Sequence, residues 1–465
     1  MKEYDLMVIG AGPGGYRAAS YAAAKGLKVV IFEASQLGGT CLNEGCIPTK
    51  CYARNAEVMS LMKEAEAFGI SNNGFDFHLE IAKSRKDEVL QQLRSGIETL
   101  LSHPNITLVR AEARFLDAHT VEACPIGCDS VTPSLDSYTA PSIIIATGSI
   151  PKKLHLEAPA DGLFLNSRDL LQLDRQPQSL CIIGAGVIGM EFASIFNAFG
   201  TKITVVEFLK ECLPALDSDI AKRLRKVLEK RGVTFHLQSA VTGIKSEEGA
   251  KIVTFTDKKS REQTVEAEQV LMAVGRAPRI FNHFQNAGFD YDARTGIKVD
   301  DHFETTVKGI YAIGDCNGRQ MLAHAAEWQA KTVVDRIANP HLLSEDLEKD
   351  AIAIPAAIFT APEAACVGKS EDQLKQEGIA YECRKAFYRA NGKALAMNET
   401  EGMVKLLSKP DAGRIVGCHA YGAHAADLVQ EASALMSCNT TVAQLRDIVH
   451  IHPTLSEILL AAAEA

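Results

Sequence analysis

A chain of 465 residues is long enough for three or four domains, and 46% hydrophobic with 23% charged residues is an ordinary globular composition. A formal charge of −9 excludes a chain-wide attraction to nucleic acid or to an anionic membrane. No run of about 18 apolar residues offers a membrane span, and MKEYDLMVIGAG enters a strand-like run without a signal-peptide pattern, so the cytoplasm is the expected location, or a matrix if a leader has been removed.

The first element is DLMVIGAGPGGYRAASYAAAKGLKVVIFE, ending at Glu33. An apolar run, a glycine turn, an amphipathic helix, a glycine stop and a second apolar run make a βαβ unit. Gly10, Gly12 and Gly15 permit a tight turn, approach of a pyrophosphate, and packing of helix on strand. The helix N-terminus offers N–H groups to phosphate, and Glu33 can accept ribose hydroxyls.

Next comes LGGTCLNEGCIPTKCYARNAEV, with Cys41 and Cys46 five residues apart ahead of a helical stretch. On an ideal helix that separation rises about 7.5 Å, too far for a disulfide, so the turn must be distorted. Gly45 and Pro48 favour the distortion. Lys50 lies one turn after Cys46, and a lysine and a helix N-terminus both favour thiolate. A labile dithiol–disulfide couple follows; two buried thiols beside an exposed Lys50 is the alternative on spacing alone. The other ten of the twelve cysteines lie mostly alone in apolar stretches. Cys124 and Cys128 flank Pro-Ile-Gly, but no second Cys or His cluster completes a metal site, and no metal is expected.

SIIIATGS (142–149) is a strand ending in a glycine turn. SLCIIGAGVIGMEFASIFNAFGTKITVVE then repeats the first unit without a gap: Gly184, Gly186, Gly189, Gly200 and Glu207 each lie 174 positions after their counterparts. Two such units, each with an acidic residue 23 positions after its first glycine, imply two dinucleotides. Glu207 repels a 2′-phosphate and no Arg cluster follows it, which favours NAD over NADP. A helix around 218–231, strands up to QVLMAVGR, the run GIYAIGDC (309–316) and a helix in MLAHAAEWQAKTVVDRI come next. From about 346, strands (MVKLLS, RIVGCHAYG) alternate with helices (HAADLVQEASALMSC, TLSEILLAAAEA). The segment HIHPTLSE supplies His450, His452 and Glu457. Oxidation of a dithiol needs a base, for which His is suited near neutral pH. Thr454 to Glu457 also has capping-box spacing, so Glu457 as a mere cap is the alternative.

GGTCLNEGCIPTK, GAGPGGY, GAGVIGMEFA, VGRAPR, YAIGDC, LAHAAE, APEAACVG and HIHPTLSE stand in the order and spacing of one family. The chain resembles the pyridine nucleotide–disulfide oxidoreductases over essentially its whole length, and among them the dihydrolipoamide dehydrogenases. The resemblance implies an α/β chain with two Rossmann-like FAD/NAD(P)-binding domains and a C-terminal α+β dimerisation domain. The expected divisions are 1–149 for FAD, 150–276 for NAD, 277–345 completing the FAD site, and 346–465 for dimerisation. It implies oxidation of dihydrolipoyl groups with FAD and NAD as cofactors, by an obligate homodimer. Cys46 would face the flavin and Cys41 the substrate; Lys50 would pair with Glu191 beside the flavin. Gly14, Ala113, Thr147, Gly148, Asp315 and Ala323 would join Gly10, Gly12, Gly15 and Glu33 around FAD. Val241 and Gly275 would line the NAD site with Gly184, Gly186, Gly189 and Glu207. His452 would be the base and Glu457 its partner, both supplied by the neighbouring subunit. Lipoylated acyltransferases of 2-oxo acid dehydrogenase complexes, or the lipoylated glycine-cleavage carrier, would be partners. The rivals are a glutathione-type or mercuric reductase and a non-catalytic flavin redox sensor. Thr49, Glu44, Arg279, Ala361 and Trp328 depart from the usual family text.

Overall fold

The computed structural model describes residues 1–71, 73–127, 136–156, 160, 162–339, 353–411 and 413–465, so Cys128 lies outside the described residues. The chain forms two compact units: Met1–Cys51, Glu80–Lys152 and Gly275–Glu345 in the first; Tyr52–Leu79, Lys153–Val274 and Asp346–Ala465 in the second.

The first unit is built on a five-stranded parallel sheet, ordered Ile310–Ala312, Ser142–Ile145, Leu6–Ile9, Val29–Phe32, Ile106–Val109. The inner strands Leu6–Ile9 and Val29–Phe32 are unbroken apolar runs because both faces are covered. Side chains alternate between faces. Leu6, Val8, Val29 and Ile31 enter a core with Ala18 and Ala22 of helix Pro13–Ala24 and Ala330 and Val333 of helix Ala323–Ala338. Met7, Ile9, Val30 and Phe32 enter the opposite core with Phe115, Tyr138, Phe284 and Phe289. That second core is closed by a four-stranded sheet of Lys2–Glu3, Asp136–Thr139, Thr120–Cys124 and Glu112–Phe115. Trp328 rests edge-on against Phe303, with ring centroids 5.6 Å apart, which absorbs that departure within the unit's own core.

The second unit repeats the dinucleotide topology with four parallel strands, ordered Thr234–His236, Lys202–Val206, Ser179–Ile183, Gln269–Met272. Helix Val187–Phe199 is the crossover, and helix Ser218–Lys230 falls where the apolar periodicity puts it. A meander of Ala240–Glu247, Ala250–Thr256 and Glu262–Ala267 is inserted before the last strand. The same unit holds an antiparallel sheet ordered Ala356–Ile358, Glu363–Gly368, Ile415–Gly422, Met403–Ser408, Glu382–Phe387. Helices Ala425–Ser437, Val442–Asp447 and Glu457–Glu464 cover it. The last helix starts at Glu457 rather than in the preceding Thr-Leu-Ser, because the Glu457 carboxylate turns back to accept the Thr454 N–H at 2.8 Å.

Lys405 lies in the middle of that sheet and is buried, with Nζ 2.6 Å from Asp217 and 2.8 Å from Glu371. Burial works against the Glu371 anion, but hydrogen bonds from Lys375, Lys405 and Tyr381 hold its carboxyl down at about 2. A folded-state value below the unfolded 4.5 stabilises the fold above that pH, and the contribution disappears as pH falls towards 2. Between pH 4.5 and 2, therefore, Glu371→Gln should flatten the fall in melting temperature relative to the unmodified protein, as scanning calorimetry across that window can show.

Candidate active site

The two glycine turns are superposable in their hydrogen bonds as well as in sequence. Gly10 N–H donates to Phe32 and Gly184 N–H to Val206, both at 2.9 Å. Glu33 accepts from Ala11 N–H and Ser35 N–H, each at 2.7 Å. Glu207 accepts from Ala185 N–H and, at 2.7 Å, from Leu209 N–H. Each acidic residue thus braces its own turn from the end of the neighbouring strand. The three glycines of each motif have separate causes. Gly10 and Gly184 have φ of +99° and +100°, and a side chain there would meet a carbonyl oxygen at 2.5 and 2.6 Å. A Cβ on Gly15 or Gly189 would lie 1.8 or 2.0 Å from the first glycine's oxygen. The middle glycines are different: nothing lies within 4 Å of a Cβ on Gly186, and only a Gly39 Cα at 3.9 Å near one on Gly12. The protein itself does not require glycine there, whereas a pyrophosphate does. Helices Pro13–Ala24 and Val187–Phe199 begin at these glycines with no side-chain cap, leaving N-terminal N–H groups for phosphate. Both turns therefore fit a dinucleotide. Gly14 faces Ile313 and Ala326 instead, where a Cβ would be 3.1 to 3.3 Å from its neighbours, so helix packing accounts for it. One consequence is testable: Gly186→Ala should leave the melting temperature unchanged while weakening NADH binding roughly tenfold by calorimetric titration.

Cys41 lies in the short helix Gly39–Glu44 and Cys46 opens the long helix Cys46–Lys63. The break between them is Gly45, whose φ of −139° and ψ of −102° are far from helical. The distortion expected from the five-residue spacing is thus a complete interruption. Thr49 closes the new helix start by donating its N–H and its hydroxyl to the Gly45 carbonyl, so the Thr in place of Ser retains the hydroxyl that this bond needs. Both cysteines are half-buried. The Cys41 thiol is pushed well above its usual range, first by its hydrogen bond to Cys46 and then by burial, while the Lys50 charge opposes the shift. Cys46, which accepts that hydrogen bond, sits at a helix N-terminus, a position that favours an anion.

Around this pair the first unit joins Asp315 and the turn at 147–149, both expected at the FAD site, to Arg276 and Tyr16, which sequence reasoning did not assign. Arg276, largely buried, donates to the Ser149 hydroxyl at 2.7 Å, to the Ser149 carbonyl at 2.8 Å and to the Thr40 hydroxyl at 3.4 Å. Ser149 in turn donates to Asp315 at 2.5 Å. Burial pushes the Asp315 carboxyl up and the Arg276 guanidinium down from their ordinary values. Thr147 and Gly148 are tied to Arg279 through its backbone, which holds the turn after Ser142–Ile145 in place. Tyr16, on the first glycine-turn helix, donates to Glu327 at 3.3 Å; burial, then Glu327 and Cys41, push its phenol up to about 12. Tyr16 and Arg276 both lie inside recognised motifs, GAGPGGY and VGRAPR, but nothing in their spacing pointed to the dithiol. Ala323 is the first residue of its helix, which has no side-chain cap, and Ala113 lies in strand Glu112–Phe115.

In the second unit Glu191 is buried and accepts the Phe359 N–H at 2.9 Å. Val241 sits at a register shift in its strand; Gly275, in the first unit, has a φ of +97°. His450 and His452 separate clearly. The His450 side chain is only 4% exposed and bridges Ile448 and Glu431. His452 is 81% exposed, with Nδ1 at 2.9 Å from Glu457 Oε1. Glu457 is held low by the Thr454 N–H and then by His452, so the capping contact and the imidazole contact coexist on one carboxylate. With Nδ1 engaged by Glu457, Nε2 is the second nitrogen of this exposed ring. Val449 and Ile451 beside it are exposed apolar side chains, as a subunit interface requires. No cluster of three or more potential metal ligands occurs among the described residues, and none of their helices is long and apolar enough to cross a membrane.

Twin dinucleotide folds, a dithiol at a helix start and an antiparallel dimerisation-type sheet define a flavoprotein disulfide oxidoreductase. Residues 4–330 match the pyridine nucleotide-disulphide oxidoreductase family and residues 354–463 its dimerisation domain. The chain belongs to that family, whose members use FAD and NAD(H), and it carries the domain through which a homodimer forms. It is 36% identical to a dihydrolipoyl dehydrogenase of Geobacillus stearothermophilus, over 99% of this chain and 96% of that one. It is 35% identical to mitochondrial dihydrolipoyl dehydrogenase 2 of Arabidopsis thaliana, over 99% and 90%. Among solved structures it resembles the HOCl-induced flavoprotein disulfide reductase RclA of Escherichia coli in its Cu(II) complex. That likeness has a TM-score of 0.86 at 28% identity, over 100% of this chain and 99% of that one.

Proposed function

We propose that this protein is a dihydrolipoyl dehydrogenase: a protein-bound dihydrolipoyl group and NAD⁺ give the lipoyl disulfide, NADH and a proton. The carrying observation is the asymmetric placement of the dithiol: Cys46 opens a helix after the break at Gly45, and the Cys41 thiol on the preceding short helix is hydrogen-bonded to it. In thiol–disulfide exchange the better-stabilised thiolate leaves faster, so a substrate thiolate attacks Cys41 and Cys46 departs. His452, oriented by Glu457, takes the substrate's thiol proton at Nε2. The substrate's second thiolate then resolves the mixed disulfide, releasing lipoyl disulfide and leaving the reduced pair. FAD would supply the two-electron chemistry that links the reduced Cys41–Cys46 pair to hydride formation on NAD⁺. Lys50 with Glu191 borders the flavin; Gly10, Gly12, Gly15, Glu33, Ala113, Thr147, Gly148, Asp315 and Ala323 hold FAD; Gly184, Gly186, Gly189, Glu207, Val241 and Gly275 hold NAD. The reading divides the chain at 149, 276 and 345. It places the protein in the cytoplasm, serving lipoylated acyltransferases or the lipoylated glycine-cleavage carrier.

A second reading, a disulfide reductase running in the opposite direction from a reduced nicotinamide, is favoured by the likeness to RclA. Steady-state assays separate the two. NADH formation from dihydrolipoamide and NAD⁺ should greatly exceed glutathione disulfide reduction by NADPH and Cu(II) reduction by NADH; the reverse ranking rejects the proposal. His452→Ala should lower dihydrolipoamide turnover by about 10²- to 10⁴-fold, the usual worth of a general base, with FAD absorbance unchanged.

A further inference from the structure

We propose that Arg94 is a positioning residue for the dithiol: through Asn43 it holds the short helix that carries Cys41 in place against Cys46. That helix, Gly39–Glu44, is six residues long and is bounded by glycine at both ends. Gly38 and Gly39 precede Cys41 with φ of +94° and +58°, and Gly45 interrupts the chain before Cys46. So short a helix does not hold its own shape in water, and glycine has the greatest backbone freedom to lose. The approach of Cys41 to Cys46 is therefore set by what ties this helix down from outside.

Asn43 supplies the tie. Its amide nitrogen donates to the Leu37 carbonyl at 3.0 Å and to the Gly39 carbonyl at 2.9 Å, straddling the Gly38–Gly39 pair. Its amide oxygen accepts from Arg94 Nη1 at 3.3 Å, and the same Arg94 nitrogen donates to the Gln36 side-chain oxygen. The reverse amide orientation would set the oxygen against two carbonyls and the NH2 against the guanidinium. Arg94 thus selects the orientation that closes over the glycines. It stands 51 positions away in the chain, on the 23-residue helix Leu79–Leu101, so the tie fastens the Cys41 helix to a separate, long element. Held this way, Cys41 meets Cys46 at a high effective concentration, which favours the closed disulfide. With the tie released, the pair shifts towards the open dithiol.

The inference rests on the reading of Cys41 and Cys46 as the redox couple, and anaerobic equilibration of the FAD-loaded protein with dithiothreitol tests both. Each enzyme disulfide opened to two thiols converts one reduced dithiothreitol to its cyclic disulfide. Alkylation and mass spectrometry then count the thiols at Cys41 and Cys46. Arg94→Met should reach half-reduction at a roughly 3- to 10-fold lower ratio of reduced to oxidised dithiothreitol, a tenfold change being about 30 mV, with FAD content unchanged. Asn43→Leu should shift the midpoint in the same direction. Arg94→Lys should return it towards the unmodified value, because a single nitrogen makes both of the Arg94 bonds. An equal midpoint in Arg94→Met, or a shift to a higher ratio, overturns the tie alone. Failure of Cys41 and Cys46 in the unmodified protein to exchange with dithiothreitol overturns the redox-couple reading, and the tie with it.

Discussion

Cys46→Ser should bind FAD normally and lose dihydrolipoamide:NAD⁺ turnover by at least about a thousandfold, the scale of removing a covalent catalytic group. Three features converge on that sulfur. It opens the helix Cys46–Lys63, after the interruption at Gly45. Its partner Cys41 donates a hydrogen bond to it and is thereby held protonated. The Arg276 guanidinium lies within its electrostatic reach. A serine hydroxyl can neither form the disulfide nor leave as a stabilised anion, so substrate exchange and electron transfer stop together. Cys41→Ser should lose turnover as well, but it retains the Cys46 thiol at the helix start, the one proposed to face the flavin. Iodoacetamide labelling of the two variants should then differ in rate, with the Cys46 thiolate of Cys41→Ser the faster.

Lys405→Met should be the most destabilising single change, by about 3 to 5 kcal/mol. Methionine fills the same volume but leaves Asp217, itself buried, without its cation. Asp217 also caps helix Ser218–Lys230 through Asp219 N–H and accepts Glu371 N–H, so the loss reaches both elements. The double variant Lys405→Met, Asp217→Asn should recover part of the deficit, because the unpaired charge is gone. Thermal denaturation of the FAD-loaded protein is the check; a shift for Lys405→Met no larger than that of an exposed lysine would show the pair to be dispensable.

What could be read in the sequence follows the range of the physics involved. The glycine turns were legible because a backbone carbonyl less than 3 Å from a would-be Cβ admits no other residue, and because the pattern occurs twice. The helix break between Cys41 and Cys46 followed from rise per residue alone. Arg276, Ser149 and Asp315 were beyond reach as a group, since their bonds span 127 and 166 residues. Lys405 in MVKLLS reads as an outward strand residue, and only the packing of Asp217 and Glu371 over it explains its burial. The choice between His450 and His452 came from the family resemblance; spacing alone could not show that the first ring is enclosed and the second exposed. Glu457 makes both of its contacts at once, so the bond to the Thr454 N–H and the bond to the His452 ring are not alternatives.

The central claim, that electrons pass from a dihydrolipoyl thiol through Cys41 and Cys46 to FAD and then NAD⁺, is tested most directly by anaerobic titration of the FAD-loaded enzyme. One equivalent of dihydrolipoamide should produce two reactive thiols and a long-wavelength thiolate–flavin absorbance while the flavin stays oxidised, and added NAD⁺ should discharge both as one equivalent of NADH. Direct bleaching of the flavin with no new thiols, or no reaction with dihydrolipoamide, would contradict it.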